Sequence, residues 1–280
     1  MNMVYLLLYV IAAMIVGFVM VKTYQEKDRM RRYVIVLLAL AMICIVSYSV
    51  NFMTDNYNVM SAATSIMMAA QDFLLVSLFI YTTAFARISN KVTKVMTIAA
   101  FVIAIIDSVV FIANIFNEIA VKYSLVKCDG IYVLGYEGEL WFGIHAVMSM
   151  IITACIIAVL VIKCIHIPGA YWGRYIVMAA GLAIIILIKC VFIYKVIDLR
   201  FDISIFLYAF IGVMVYWNTF WYSKKNMLTI THAMIIEHMH VPVILFDYEG
   251  VLADFNTSMK ELFGNLEYDD REQTIDWFFK

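Results

Sequence analysis

The sequence predicts an all-α membrane protein, a bundle of seven transmembrane helices carrying a small α/β tail. Three observations predict it. Of 280 residues, 65% are hydrophobic and only 15% charged, a balance outside the range of soluble domains. The apolar residues gather into seven long runs, each near the roughly 20 residues that a helix needs to cross about 30 Å of hydrocarbon. Lysine and arginine collect on alternate connections between those runs. The runs are continuous rather than alternating, so they satisfy their backbones as helices and not as a barrel.

The predicted helices lie near Met3–Val21, Tyr33–Met53, Met60–Phe85, Val95–Phe116, Trp141–Ile162, Tyr175–Val196 and Ile203–Tyr222. The first lacks a basic leader and a small-residue cleavage site, so it reads as a retained helix. Charge sets the expected orientation. Lys22, Lys27, Arg29, Arg31, Arg32, Arg87, Lys91, Lys94, Lys163, Arg174, Lys224 and Lys225 fall on one side. The other side holds Lys122, Lys127, Lys195 and Arg200. The positive-inside rule then puts the amino terminus outside and the carboxyl terminus in the cytoplasm of a plasma membrane. A net charge of −1 says little about partners, because it is partitioned across the bilayer. No basic, aromatic-interleaved patch suggests nucleic acid. Five cysteines form no disulfide framework, and Cys128, on the outer side, reads as a free thiol.

Residues 117–140 form the long connection. Tyr123–Val126 and Ile131–Leu134 are apolar or β-branched and flank Lys127-Cys128-Asp129-Gly130. Asp-Gly between two such runs predicts a β-hairpin, expected to fold over the outer mouth of the bundle. The chain divides into a transmembrane part, 1–222, a linker helix, 223–240, and a tail, 241–280. In the tail, Val241–Asp247 and Val251–Phe255 read as strands around Tyr248-Glu249-Gly250. Asn256 or Thr257 can cap a short helix ending at Gly264.

Polar residues at membrane depth are costly and tend to be paired or functional. They are Asn51, Gln71, Asp72, Asp107, Asn114, His145 and Lys189. Asp107 with Lys189 is the expected ion pair, and Asp72 the alternative partner. The group either lines an outward-facing pocket for a small polar or amphipathic signal or ties the helices together. His145, about one turn below the surface, reads as a hydrogen-bonded residue rather than a metal ligand, since no outer His, Cys and acidic residues have metal-site spacing. No cofactor is expected. Nineteen methionines, scattered through the spans, read as filler. Trp141, Tyr171, Trp172, Trp217, Trp221 and Tyr222 read as interfacial anchors. The last predicted helix contains no lysine for a retinal Schiff base.

Two resemblances follow from these residues. The stretch Val243–Asn256, with Asp247 before the turn and Asn256 after the second strand, resembles the opening of a PAS domain. The whole chain resembles the seven-helix amino-terminal sensor region of bacterial histidine kinases and of some diguanylate cyclases. The residues that carry this are the outer hairpin, Trp141-Phe142-Gly143-Ile144-His145 opening the fifth helix, and Ile235-Ile236-Glu237-His238-Met239 leading into the PAS-like start. The resemblance implies a receptor module, with a homodimer formed through the helix-seven extension, where Met227, Ile230 and Met234 share a face. No phospho-acceptor region, nucleotide-binding glycine box or cyclase signature is present, so no catalytic role passes to any residue. A membrane transporter or channel is the competing expectation, although no Gly/Pro-broken pair of helices stands in matching positions.

Overall fold

In the computed structural model, residues 2–128, 131–167, 172–193, 205–222, 234–246 and 252–263 are described. The helices are α1 (Asn2–Gln25), α2 (Arg31–Ser49), α3 (Tyr57–Phe85), α4 (Lys91–Asn117), α5 (Leu140–Ile165), α6 (Gly173–Ile193) and α7 (Phe206–Tyr216). Between α4 and α5 stand two strands, β1 (Val121–Cys128) and β2 (Ile131–Gly138). The chain forms two compact units, Met1–Trp221 and Tyr222–Lys280.

Among the described residues, α1 to α5 are long and apolar enough to cross a bilayer, and α6 contributes a shorter apolar helix, Gly173–Ile188. The ends follow local chemistry. Asn56 starts α3 by accepting from the amides of Asn58 and Val59. Asn90 and Thr93 form a reciprocal capping box that starts α4. These caps, Asn56 and Asn90, lie four and five residues upstream of where the apolar runs alone would begin the helices. After Tyr216, α7 widens into a π-helical turn, Trp217–Tyr222. Its Thr219 hydroxyl meets Tyr81 of α3 at 2.8 Å. A π-turn of this kind typically marks a functional segment.

The seven helices are not equal. The spanning window of α3 is 72% buried, against 33% or less in the other four long helices. Helix α3 therefore runs through the centre, packed by α2, α4 and α5, while α7 lies against α1 and α2. The apolar residues of the outer helices that remain exposed, such as Ile98, Phe101 and Ile105 on α4, suit contact with acyl chains. Lipid tails are as apolar as leucine, so helix association depends on close fit rather than on expulsion of water. Gly212 of α7 supplies such a fit, because a Cβ there would stand 2.6 Å from Leu38 Cδ2 on α2. Leu38 is fully buried, so moving its methyl aside disturbs the packing around it. Gly212→Val is expected to destabilise the bundle by about 1–3 kcal/mol, read as a lower melting temperature in detergent.

The second unit holds a helical turn at 234–237, the strands β3 (Ile244–Phe246) and β4 (Leu252–Phe255), and α8 (Thr257–Phe263). The strands pair antiparallel with an irregularity between Leu245 and Phe246. Asn256 organises the unit. Its Nδ2 donates to the carbonyls of Ile236, Met239 and Val241. Its Oδ1 accepts from the amides of Val243 and Met259. The second of these caps α8, in the way the sequence predicts. Of the expected linker helix, 223–240, residues 223–233 lie outside the described residues, and 234–237 are helical.

Candidate functional site

The hairpin fixes the geometry from which the site follows. Strands β1 and β2 pair antiparallel from Val121↔Gly138 to Cys128↔Ile131. The expected Asp129-Gly130 turn lies outside the described residues. The root of the hairpin joins the end of α4 to the start of α5, and both helices pack on α3.

Asn114, fully buried in the last turn of α4, ties that root down. Its Oδ1 accepts from the amides of Ala120 and Val121 at 2.7 and 3.1 Å, and its Nδ2 donates to the Val121 carbonyl at 3.0 Å. The Glu139 amide closes the root on the Ala120 carbonyl. The backbone between them turns through a left-handed residue, Glu118, at φ 50°. Its carboxylate accepts from the Tyr57 hydroxyl at 2.5 Å. Tyr123 of β1 points back into the bundle, where its hydroxyl stands 3.5 Å from Ser65 Oγ of α3. Burial raises the phenol pKa of Tyr123. Lys122 faces solvent and meets Glu139 at 2.5 Å. The hydrogen bond to that carboxylate, then its charge, hold the lysine above its ordinary range.

Beneath this root three helices each contribute one buried ionisable side chain. They are Asp72 of α3, Asp107 of α4 and His145 of α5, exposed by 5%, 6% and 4%. His145 Nδ1 lies 2.6 Å from Asp107 Oδ2 and 3.3 Å from Asp72 Oδ1. A carboxylate can only accept, so the ring proton sits on Nδ1. The other oxygen of Asp107, Oδ1, accepts from Trp141 Nε1 at 2.8 Å. Trp141 and His145 are four residues apart on one face of α5 and thus grip the same carboxylate together. Phe111 meets the imidazole edge-on at 4.8 Å between centroids, and Phe142 lies roughly parallel to it at 6.2 Å. Phe111, Trp141 and Phe142 also pack in the apolar cluster formed by Ala120, Val121 and Tyr123. Polar cluster and hairpin root therefore share one set of aromatic walls.

The other residues singled out by the sequence sort into separate places. Asn51, in the 3-10 turn Val50–Phe52 that follows α2, donates to Thr64 Oγ1 of α3 at 3.1 Å. Gln71 is next to Asp72 in sequence but about 100° around the helix. Its Oε1 accepts from Tyr208 of α7 at 2.6 Å, while its buried Nε2 has no hydrogen-bond partner among the described residues. Asn114 serves the hairpin rather than the cluster. Lys189 is carried by α6, but its side chain, and with it the expected pair with Asp107, lies outside the described residues. The Cys128 thiol does too.

Sequence spacing gives no metal site, yet folding brings Asp72, Asp107 and His145 together with one ligand atom each, all within 4.8 Å. Trp141, expected as an interfacial anchor, instead donates to the cluster. The signal available for it was its four-residue spacing from His145.

The family described as the N-terminal 7TM region of histidine kinase matches residues 5–227. No curated protein matches the chain. The match covers the hairpin, the three helices that build the cluster and the rest of the bundle. The chain therefore belongs to this family, and its bundle is a multi-pass membrane sensory region rather than a catalytic one.

Proposed function

We propose that the bundle receives a small ligand at the Asp72–Asp107–His145 cluster and passes the event through its seventh helix to the PAS-like tail. The supporting observation is the cluster itself. Three ionisable groups are buried at one point among aromatic walls, and ionisable groups at membrane depth are costly enough to need a reason. Their wall residues are those that seat the hairpin, so a ligand there acts on helix ends and hairpin together. The charge partition supports a reading in which that end lies outside and the tail in the cytoplasm. A ligand favouring one helix arrangement shifts the population toward it. Tyr81 and Thr219, bonded at the π-turn where α7 ends, form a contact that such a shift would load. Output by a kinase or cyclase, and dimerisation through residues 223–240, complete the proposal.

The test is a melting-temperature screen of the detergent-solubilised chain against small organic acids, amines, short-chain lipids and inorganic ions. A stabilising compound whose effect is lost in Asp107→Asn is expected. Solute uptake into proteoliposomes that depends on Asp107 would instead make the chain a transporter and overturn the receptor reading.

A further inference from the structure

Resting on that reading of the cluster as the receiving site, we propose that it binds a divalent first-row transition-metal cation, with Asp72 Oδ1, Asp107 Oδ2 and His145 Nδ1 as ligands.

The donor set comes first. Two carboxylate oxygens and one imidazole nitrogen suit Zn²⁺, Mn²⁺ or Fe²⁺, whereas Ca²⁺ and Mg²⁺ prefer oxygen alone and Cu⁺ prefers sulfur. Three protein ligands leave a fourth position open, the arrangement of an exchangeable site rather than a closed structural one.

The spacing agrees. Bonds of about 2.0–2.2 Å to nitrogen and oxygen place tetrahedral neighbours roughly 3.4 Å apart. His145 Nδ1 and Asp72 Oδ1 already stand 3.3 Å apart, and Nδ1 and Asp107 Oδ2 stand at 2.6 Å. Entry of the cation would require the second pair to open by just under about 1 Å. In the present arrangement two carboxylates converge on one ring nitrogen, which carries a single proton. A cation at that point meets three lone pairs and displaces that proton to solvent.

The surroundings are those of a prepared metal site. Trp141 Nε1 holds Asp107 Oδ1, which leaves Oδ2 turned toward His145 and sets the carboxylate plane. Phe111 and Phe142 fix the imidazole from edge and face. Outer groups of this sort orient ligands before the ion arrives. Each ligand belongs to a different helix, so coordination would clamp α3, α4 and α5 beneath the hairpin root.

The test uses the chelator-stripped chain in detergent micelles, titrated calorimetrically with Zn²⁺ and with Mn²⁺. The tail histidines His232, His238 and His240 are first changed to glutamine, because they could collect metal by themselves. One equivalent should bind, at least about tenfold more weakly in Asp72→Asn and in His145→Gln. X-ray absorption of the zinc-loaded chain, with no change at the cluster, should show a shell of oxygens and a single imidazole. This readout holds even if a cluster variant fails to fold. Absence of a bound equivalent, an affinity unchanged by both cluster variants, or a shell with several imidazoles would overturn the metal assignment. An organic compound that stabilises the chain through Asp107 without metal would sink this inference and leave the receptor reading intact. Asp107-dependent metal uptake into proteoliposomes would do the reverse.

Discussion

Asp107→Ala should destabilise the seven-helix bundle by about 3 kcal/mol, the scale of removing one partner from a buried charged pair. The substitution takes an acceptor from two donors at once. Trp141 Nε1 loses its 2.8 Å contact and His145 Nδ1 its 2.6 Å contact. Both donors are held among Phe111, Phe142 and their neighbours, so lost bonds are not readily replaced by water. Asp107→Asn retains an oxygen for Trp141 and should lose markedly less. Melting temperatures in detergent give the order: wild type highest, Asn intermediate, Ala lowest, with tryptophan emission shifting to the red only where Trp141 is freed. If the alanine variant melted with the wild type, the cluster would hold no helices together, and its burial would need a purely ligand-binding explanation.

That cluster shows where sequence reasoning stops. Helix positions were legible because each rests on a local run of apolar residues, and the hairpin because Asp129-Gly130 is a local turn signal. The tail strands and α8 were legible for the same reason, and Asn256 proved to be the cap expected there. Asp107 and His145 are 38 residues apart, and nothing local says which face of α4 looks at α5. A full lysine charge made Lys189 the natural partner by electrostatics alone. What the charge count leaves out is connectivity. The hairpin brings the end of α4 beside the start of α5, so His145 reaches Asp107 whatever α6 contributes. The central place of α3 shows in composition alone: its span is less apolar than the other long helices, and its buried Ser61, Thr64, Ser65, Gln71, Asp72, Ser77 and Thr82 are polar groups that need protein rather than lipid beside them.

Gln71 and Asp72 make the same point from another side. Neighbours in sequence, they serve different interfaces, Gln71 toward Tyr208 of α7 and Asp72 toward His145 of α5. Grouping them as one pocket treats the chain as a line. On a helix they diverge by about 100°, so one residue contacts the helix proposed to carry the signal out and the other the site proposed to take it in. Helix α3 thus touches both ends of the proposed relay.

Asn114→Ala should release the hairpin while leaving the spans in place. Asn114 makes three hydrogen bonds to the backbone of Ala120 and Val121 from a fully buried position. Alanine leaves two amides and a carbonyl without that partner, and each buried group left unsatisfied costs about 1–3 kcal/mol. The root can avoid most of that cost by lifting toward water, since Leu125 and Val126 further along β1 are already exposed. Undocking is therefore expected rather than unfolding. Amide hydrogen exchange at Ala120, Val121 and Glu139 should quicken by an order of magnitude or more, with helix-centre amides of α3 unchanged. Tyr123 would leave Ser65, and the shared walls Phe111, Trp141 and Phe142 would loosen around His145. The same variant should then weaken ligand stabilisation through Asp107 although it touches none of the three ionisable groups. Unchanged exchange at Ala120 and Val121 would mean that the strand pairing and Tyr123 alone hold the hairpin, and that the root does not couple to the cluster.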